Sequence, residues 1–175
     1  MIRIYIGKSA AGKDYFYRKD IKENGFKPVV SYTTRPMREN EINGRDYNFI
    51  GVFKFHILKF FGRIIESRSY KTLVKNKRAT WYYGTPRIKD PKSNYVVVVD
   101  IEGAKALIKA FPNDCEVIYI DADKNIRTER AKMRGSFDET EWLRRLEDDE
   151  IKFSESERTN LQAMCKNPIR VIVNN

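Results

Sequence analysis

Apolar and polar positions along this chain follow two rhythms, and the changes between them mark most of its elements. Ile2-Arg3-Ile4-Tyr5-Ile6 reads as a short strand, and a helix pattern runs from Tyr15 to Glu23 before Asn24-Gly25 stops it. The clearest buried strand is Tyr95-Val96-Val97-Val98-Val99-Asp100, a β-branched run closed by a carboxylate. A helix is expected from Glu102 to Ala110, a turn at Phe111-Pro112-Asn113-Asp114, and a further strand from Glu116 to Ile120. Helix returns from about Lys124 to Met133, breaks near Arg134-Gly135-Ser136, and resumes at Asp138 or Glu139 as one long polar helix. Within that helix Trp142 and Leu146 recur at helical spacing and form a core-facing stripe. Ile169-Arg170-Val171-Ile172-Val173 closes the chain as a strand. Between Val29 and Thr85 the texture is aromatic, basic and turn-rich, without clear helical period, which reads as a lobe inserted into an α/β frame around a parallel sheet. His56, in the apolar stretch from Val52 to Phe61, reads as a packing residue.

The first strand and helix enclose Gly7-Lys8-Ser9-Ala10-Ala11-Gly12-Lys13-Asp14, which fits G-x-x-x-x-G-K-[ST] up to its last position. Gly7 and Gly12 let the backbone turn tightly, so that successive N–H groups and the start of the next helix converge on an anion. Lys13 adds a mobile point charge for terminal phosphates. Asp14 stands where a hydroxyl would hold Mg²⁺. It either ligates the metal as a hard oxygen donor or repels the phosphates, and flanking Lys8 and Lys13 favour the first.

At 175 residues the chain has the size of one domain with a full core. With 34 basic against 24 acidic residues, net +10, it attracts polyanions without specifying which. Two cysteines, Cys115 and Cys165, lack paired spacing, which argues against a disulfide framework or zinc site and for a reducing cytoplasm. A charge at Arg3 and a strand directly after Met1 argue against a signal peptide or membrane span.

A phosphate loop alone leaves the second substrate open. The segment Ser31 to Phe49 narrows it, since it packs three arginines and several hydroxyls into nineteen positions. Arg35 and Arg38 flank a proline at a spacing suited to gripping one phosphate from two sides, and Tyr47 adds a hydroxyl. Asp100 ends the valine-rich strand, at the carboxyl edge where parallel sheets carry functional groups.

The segment Ser31 to Phe49, then Glu66, then Tyr82-Tyr83-Gly84-Thr85, then Asp100-Ile101-Glu102-Gly103-Ala104, resembles guanylate kinase in residue type and order, and the resemblance runs from Ile2 to Asn174. It implies a P-loop NTPase three-layer α/β fold with a central parallel sheet: a core over 1–30, 86–133 and 146–175, a nucleoside monophosphate-binding lobe over 31–85, and a helical lid at about 134–145. It implies that Gly7 to Asp14 hold ATP phosphates and that Asn174 contacts adenine. Arg35, Arg38, Tyr47 and Tyr83 would grip the acceptor phosphate with Glu41 supporting the arginines, while Ser31, Glu66 and Thr85 would read the base. Asp100 would stand beside the substrate and, with Asp14, beside Mg²⁺. Arg130, Arg134 and Arg145 would join Lys13 and Arg35 in stabilising the transferring phosphoryl group. The expected partners are small nucleotides, ATP and a monophosphate, with no dedicated nucleic-acid binding, no membrane and no indication of oligomeric state. Ser67 to Tyr82 forms a longer basic stretch than guanylate kinases usually carry, which keeps open a kinase of different or broader base preference. A catalytically inactive guanylate-kinase-like binding module is the other alternative.

Overall fold

The computed structural model describes residues 1–74, 77–88, 90, 93–133 and 137–175. In chain order the elements are β1 (Ile2–Ile6), α1 (Lys13–Glu23), β2 (Lys27–Pro28), β3 (Tyr32–Thr33), β4 (Asn48–Phe49), α2 (Val52–Phe60), β5 (Ile64–Val74) and β6 (Lys77–Pro86). There follow β7 (Tyr95–Val98), α3 (Ile101–Ala110), β8 (Cys115–Asp121), α4 (Lys124–Lys132), α5 (Glu139–Lys152), α6 (Glu155–Met164) and β9 (Arg170–Val173). Two compact units emerge, residues 1–27 with 92–175, and residues 28–91.

The first unit is built on a sheet of order β2-β7-β1-β8-β9. β1 runs parallel to β7 and β8, and β8 parallel to β9, with Ile4 level with Val97 on one side and Val117 on the other. A strand covered on both faces favours unbroken β-branched runs, and Ile4, Val96, Val97, Ile118 and Ile120 are all buried. Phe26, Tyr5 and Ala11 close one cluster of this core, against which Phe16, Tyr17 and Ile21 of α1 pack. Trp142 and Leu146 are buried with Ala10 in a second cluster, so the stripe on α5 lies against the glycine loop. The single long polar helix expected after Asp138 is two helices. α5 ends at Phe153, which is buried, and Ser154 starts α6 in an extended backbone conformation.

The second unit holds a sheet of order β4-β3-β6-β5. β3 is parallel to β4, whereas β6 is antiparallel to both β3 and β5. The long basic stretch is the β5–β6 hairpin, paired from Ile64 and Pro86 outward to Val74 and Lys77. α2 corrects the expectation that this region lacks a helix. Phe55 is fully buried on its inner side, while Phe53 is 81% and Phe60 84% exposed on the outer side. A helix apolar on both sides shows no amphipathic period, so the pattern that normally reveals one is absent. Gly84 makes room for Phe55, because a Cβ there would lie 3.1 Å from the ring and 2.8 Å from Ile64. His56 is exposed, and its ring stands edge-on to Tyr82 at 5.0 Å. Among the described residues no helix is long and apolar enough to cross a membrane.

Candidate active site

The loop from Gly7 to Asp14 joins the carboxyl end of β1 to α1, and its backbone is held by contacts that leave little freedom. Gly7 has φ 147 and Gly12, the residue before α1, φ 95, both within the range where a side chain is strained. A Cβ on Gly7 would fall 2.2 Å from the Ile120 carbonyl oxygen, and one on Gly12 2.2 Å from Asn174 Nδ2. Asn174 closes the loop from the end of β9: its Nδ2 donates to the Ala11 carbonyl at 2.8 Å, and its backbone N–H to Asp121 at 2.8 Å. Arg130 of α4 donates to the Asn174 carbonyl at 2.9 Å and reaches Ala11 O at 3.5 Å. Lys13 folds back over the loop, its Nζ donating to the carbonyls of Gly7 at 2.8 Å and Lys8 at 2.9 Å.

Lys8 is engaged by an acidic side chain of its own. Its Nζ donates to Glu150 of α5 at 2.6 Å, a bond that holds the Glu150 carboxyl below the ordinary carboxylate range against the opposing effect of burial. Next to it Asp149 accepts the backbone N–H of Ser9 at 2.7 Å and the Arg127 guanidinium at 3.3 Å. Asp14 is exposed in the first turn of α1. Asp100 caps α3, accepting the Gly103 N–H at 3.0 Å, as the turn carboxylate after a strand does. No group of three or more acidic, histidine or cysteine side chains suited to a metal occurs among the described residues. A phosphate-bound Mg²⁺ requires fewer, because it keeps waters and takes one or two carboxylates, so the exposed oxygens of Asp14 fit that donor set.

In the second unit Arg35 is 5% exposed and meets Glu41 as a two-pronged pair, Nη2–Oε1 at 2.7 Å and Nη1–Oε2 at 2.9 Å. Burial alone would push the Glu41 carboxyl up. Hydrogen bonds from Arg35 and from the Arg38 backbone N–H, at 2.8 Å, outweigh it and hold the group below its ordinary value. The Arg35 guanidinium also stands over the rings of Tyr47 at 5.6 Å and Phe49 at 5.5 Å. Tyr47 meets Tyr83 edge-on at 5.9 Å, and the Arg38 side chain is exposed. Along the same hairpin Thr85, buried, donates its hydroxyl to Glu66 Oε1 at 2.7 Å. Ser31 precedes β3, one residue before the Tyr32–Gly84 pair, and its carbonyl accepts the Asn48 N–H at 2.8 Å.

The family model for guanylate kinase matches residues 2–166 of this sequence. This chain belongs to the guanylate kinase family. Among curated guanylate kinases, one from a Nostoc species is 31% identical over 150 residues, 82% of this chain and 71% of the relative. One from Helicobacter pylori is 32% identical over 141 residues, 76% of this chain and 64% of the relative. The fold is similar to a crystal structure of guanylate kinase from Anaplasma phagocytophilum, with TM-score 0.63, 23% identity, and coverage of 100% of this chain and 77% of that one. Guanylate kinases are phosphotransferases of the P-loop class, and the parallel sheet of the first unit has that architecture.

Against the guanylate kinase pattern, the structure gathers Gly7 to Lys13, Arg130 and Asn174 in one unit, and Arg35, Glu41, Tyr47, Tyr83, Glu66 and Thr85 in the other. Arg145 bonds within its own helix, donating to Glu141 at 2.9 Å, and Arg134 lies outside the described residues. The pattern left out Arg127, Asp149 and Arg68. Asp149 carried a readable signal, since it continues the stripe of Trp142 and Leu146 at helical spacing and a carboxylate on an apolar stripe needs a partner. Arg68, whose Nε donates to Glu66 Oε2 at 3.3 Å, gave none, because it lies in a stretch rich in basic residues.

Proposed function

We propose that this chain transfers the γ-phosphoryl group of ATP directly to the phosphate of a guanine nucleoside monophosphate, GMP or dGMP. The observation that carries this reading is the Thr85–Glu66 pair beside Tyr83 on one hairpin face. A carboxylate fixed by the Thr85 hydroxyl suits the N1–H and N2–H₂ donors of guanine, with the Ser31 hydroxyl for O6, while Arg35, Arg38, Tyr47 and Tyr83 take the acceptor phosphate. Adenine would set an unprotonated ring nitrogen against Glu66.

The attacking group is already an anionic phosphate oxygen, so no strong general base is required and catalysis is positioning and charge stabilisation. Lys13 exchanges the carbonyls of Gly7 and Lys8 for phosphate oxygens, and the loop N–H groups and the start of α1 cradle the donor. Arg130, Arg134 and Arg145 supply positive charge to the phosphoryl group in flight as the lid excludes water. Asp14 and Asp100 would hold Mg²⁺, which would supply positive charge against the donor phosphates.

The decisive experiment measures diphosphate formation from GMP, dGMP, AMP, dAMP, CMP and dTMP with ATP and Mg²⁺, alongside Lys13→Ala. GMP or dGMP is expected to lead, with turnover in the variant lower by several orders of magnitude and the fold retained. Preference for another base would overturn the acceptor assignment. Near-normal turnover in Lys13→Ala would overturn the role of the loop, and no turnover on any monophosphate would support the binding module instead.

A further inference from the structure

The long hairpin places a charged donor beside the carboxylate assigned to the base. Side chains of a strand alternate between faces, so Glu66, Arg68 and Tyr70 of β5 share one face with Thr85, Tyr83 and Trp81, their cross-strand partners on β6. The contacts agree with that alternation. Thr85 donates to one Glu66 oxygen at 2.7 Å, Arg68 Nε donates to the other at 3.3 Å, and Tyr70 meets Tyr83 edge-on at 5.4 Å. The Arg68 and Glu66 side chains retain 22% and 13% of their accessible surface, so the pair is largely screened from water yet still reachable.

We propose that Arg68 is a base-reading residue that selects purines carrying an oxygen at position 6, which rests on the guanine-acceptor reading above. A carboxylate offers about four acceptor sites, so Glu66 can take N1–H and N2–H₂ while keeping Thr85 and Arg68. The next atom on the guanine edge is O6. A guanidinium has donors and no acceptor, so whatever base atom lies beside it must accept. Guanine and hypoxanthine present O6 there, whereas adenine presents an amino group, donor against donor. The Ser31 hydroxyl can donate or accept, and so tolerates either base, while the Thr85 proton is held by Glu66. Arg68 cannot accept, which makes it the stricter of the two kinds of reader.

The test measures dissociation constants of GMP, IMP and AMP for the full chain and for Arg68→Ala, Arg68→Gln and Arg68→Lys, with circular dichroism and melting temperature as fold controls. The expected result in Arg68→Ala is a loss of about ten-fold or more for GMP and IMP alike, with AMP unchanged or tighter, and partial recovery in Arg68→Lys. An equal loss for all three overturns the proposal, since it indicates a phosphate contact or a structural role opposite Tyr83. A loss for GMP that IMP does not share also overturns it, because Arg68 would then act through the reading of N2 by Glu66. If the unsubstituted protein itself binds AMP as well as GMP, the guanine-acceptor reading fails, a result visible before any variant is made.

Discussion

Asp149 and Ser9 are joined by two hydrogen bonds, the Ser9 backbone N–H to Oδ2 at 2.7 Å and the Ser9 hydroxyl to Oδ1 at 3.3 Å. Helix α5 therefore grips the phosphate loop through a carboxylate that is itself buried against Arg127. The same helix carries Arg145 one turn before Asp149.

Removing the carboxylate should be costly. Arg127 is 2% exposed, its Nε has no hydrogen-bond partner, and without Asp149 its charge would lie buried with Glu150 4.0 Å away as its remaining acidic neighbour in this network. Asp149→Ala is expected to lose about 3–5 kcal/mol of unfolding free energy, and Arg127→Met/Asp149→Leu distinctly less. Urea unfolding of the two proteins measures the difference. A single variant within 1 kcal/mol of the parent, roughly the scale of an exposed pair, would show that the pair is not buried in solution.

Gly12→Ala should fail for two separable reasons. Its φ of 95 strains any side chain, and its Cβ would collide with Asn174 Nδ2. Asn174→Gly removes the collision partner together with its Ala11 hydrogen bond, so the reference is Asn174→Gly alone, in which Gly12→Ala is expected to cost only the strain of about 1–2 kcal/mol and lower the melting temperature less than it does in the parent. An equal drop in both backgrounds would exclude the collision.

Glu41→Ala should weaken the acceptor lobe through Arg35. The guanidinium is left buried with the Pro36 carbonyl, which it meets at 2.7 Å, in place of a two-pronged carboxylate. A loss of about 3 kcal/mol in stability and a raised KM for the monophosphate are expected, with KM for ATP little changed. A rise in KM for ATP alone would contradict this.

The start of α5 should hold into strong acid. Hydrogen bonding to Arg144, opposed by burial and aided by Arg145, lowers the Glu141 carboxyl from 4.5 to about 2. A depressed folded-state pKa contributes stability that is fully present above the unfolded value and lost as pH falls through the folded one, here between about pH 5 and pH 2. Glu141→Gln is expected to flatten the dependence of stability on pH within that window and leave it unchanged above pH 6. Parallel curves for variant and parent across pH 5 to 2 would argue against the ion pairs.

What the sequence made legible follows from how local each cause is. The strand at Ile2–Ile6, the loop and α1 need neighbours in sequence, and the valine run of β7 announces burial on both faces. α2 stayed hidden because Phe53 and Phe60 face outward while Phe55 faces in. The break at Phe153 has no glycine or proline to mark it. Lys8 looked like a counter-charge for Asp14, but its partner, Glu150, lies 142 residues away along the chain, and no local pattern encodes such a contact. The order of residues in the family pattern was enough to group Glu66 with Thr85, and the two are hydrogen-bonded. That Arg68 shares their face depended on the hairpin register, which only the paired strands reveal.

The closure of the loop by β9 has a practical side for anyone handling this protein. Asn174 touches Ala11, and Asn175 Oδ1 accepts the Asp123 N–H at 3.1 Å, so whatever is joined after Asn175 begins beside the Gly7–Asp14 loop. The amino group of Met1 instead meets the Ser93 carbonyl at 3.4 Å, at the opposite end of the parallel strands. Affinity tags, fluorophores and surface tethers attached at the amino terminus leave the loop unobstructed. The same attachments at the carboxyl terminus place a foreign chain beside the Gly7–Asp14 loop.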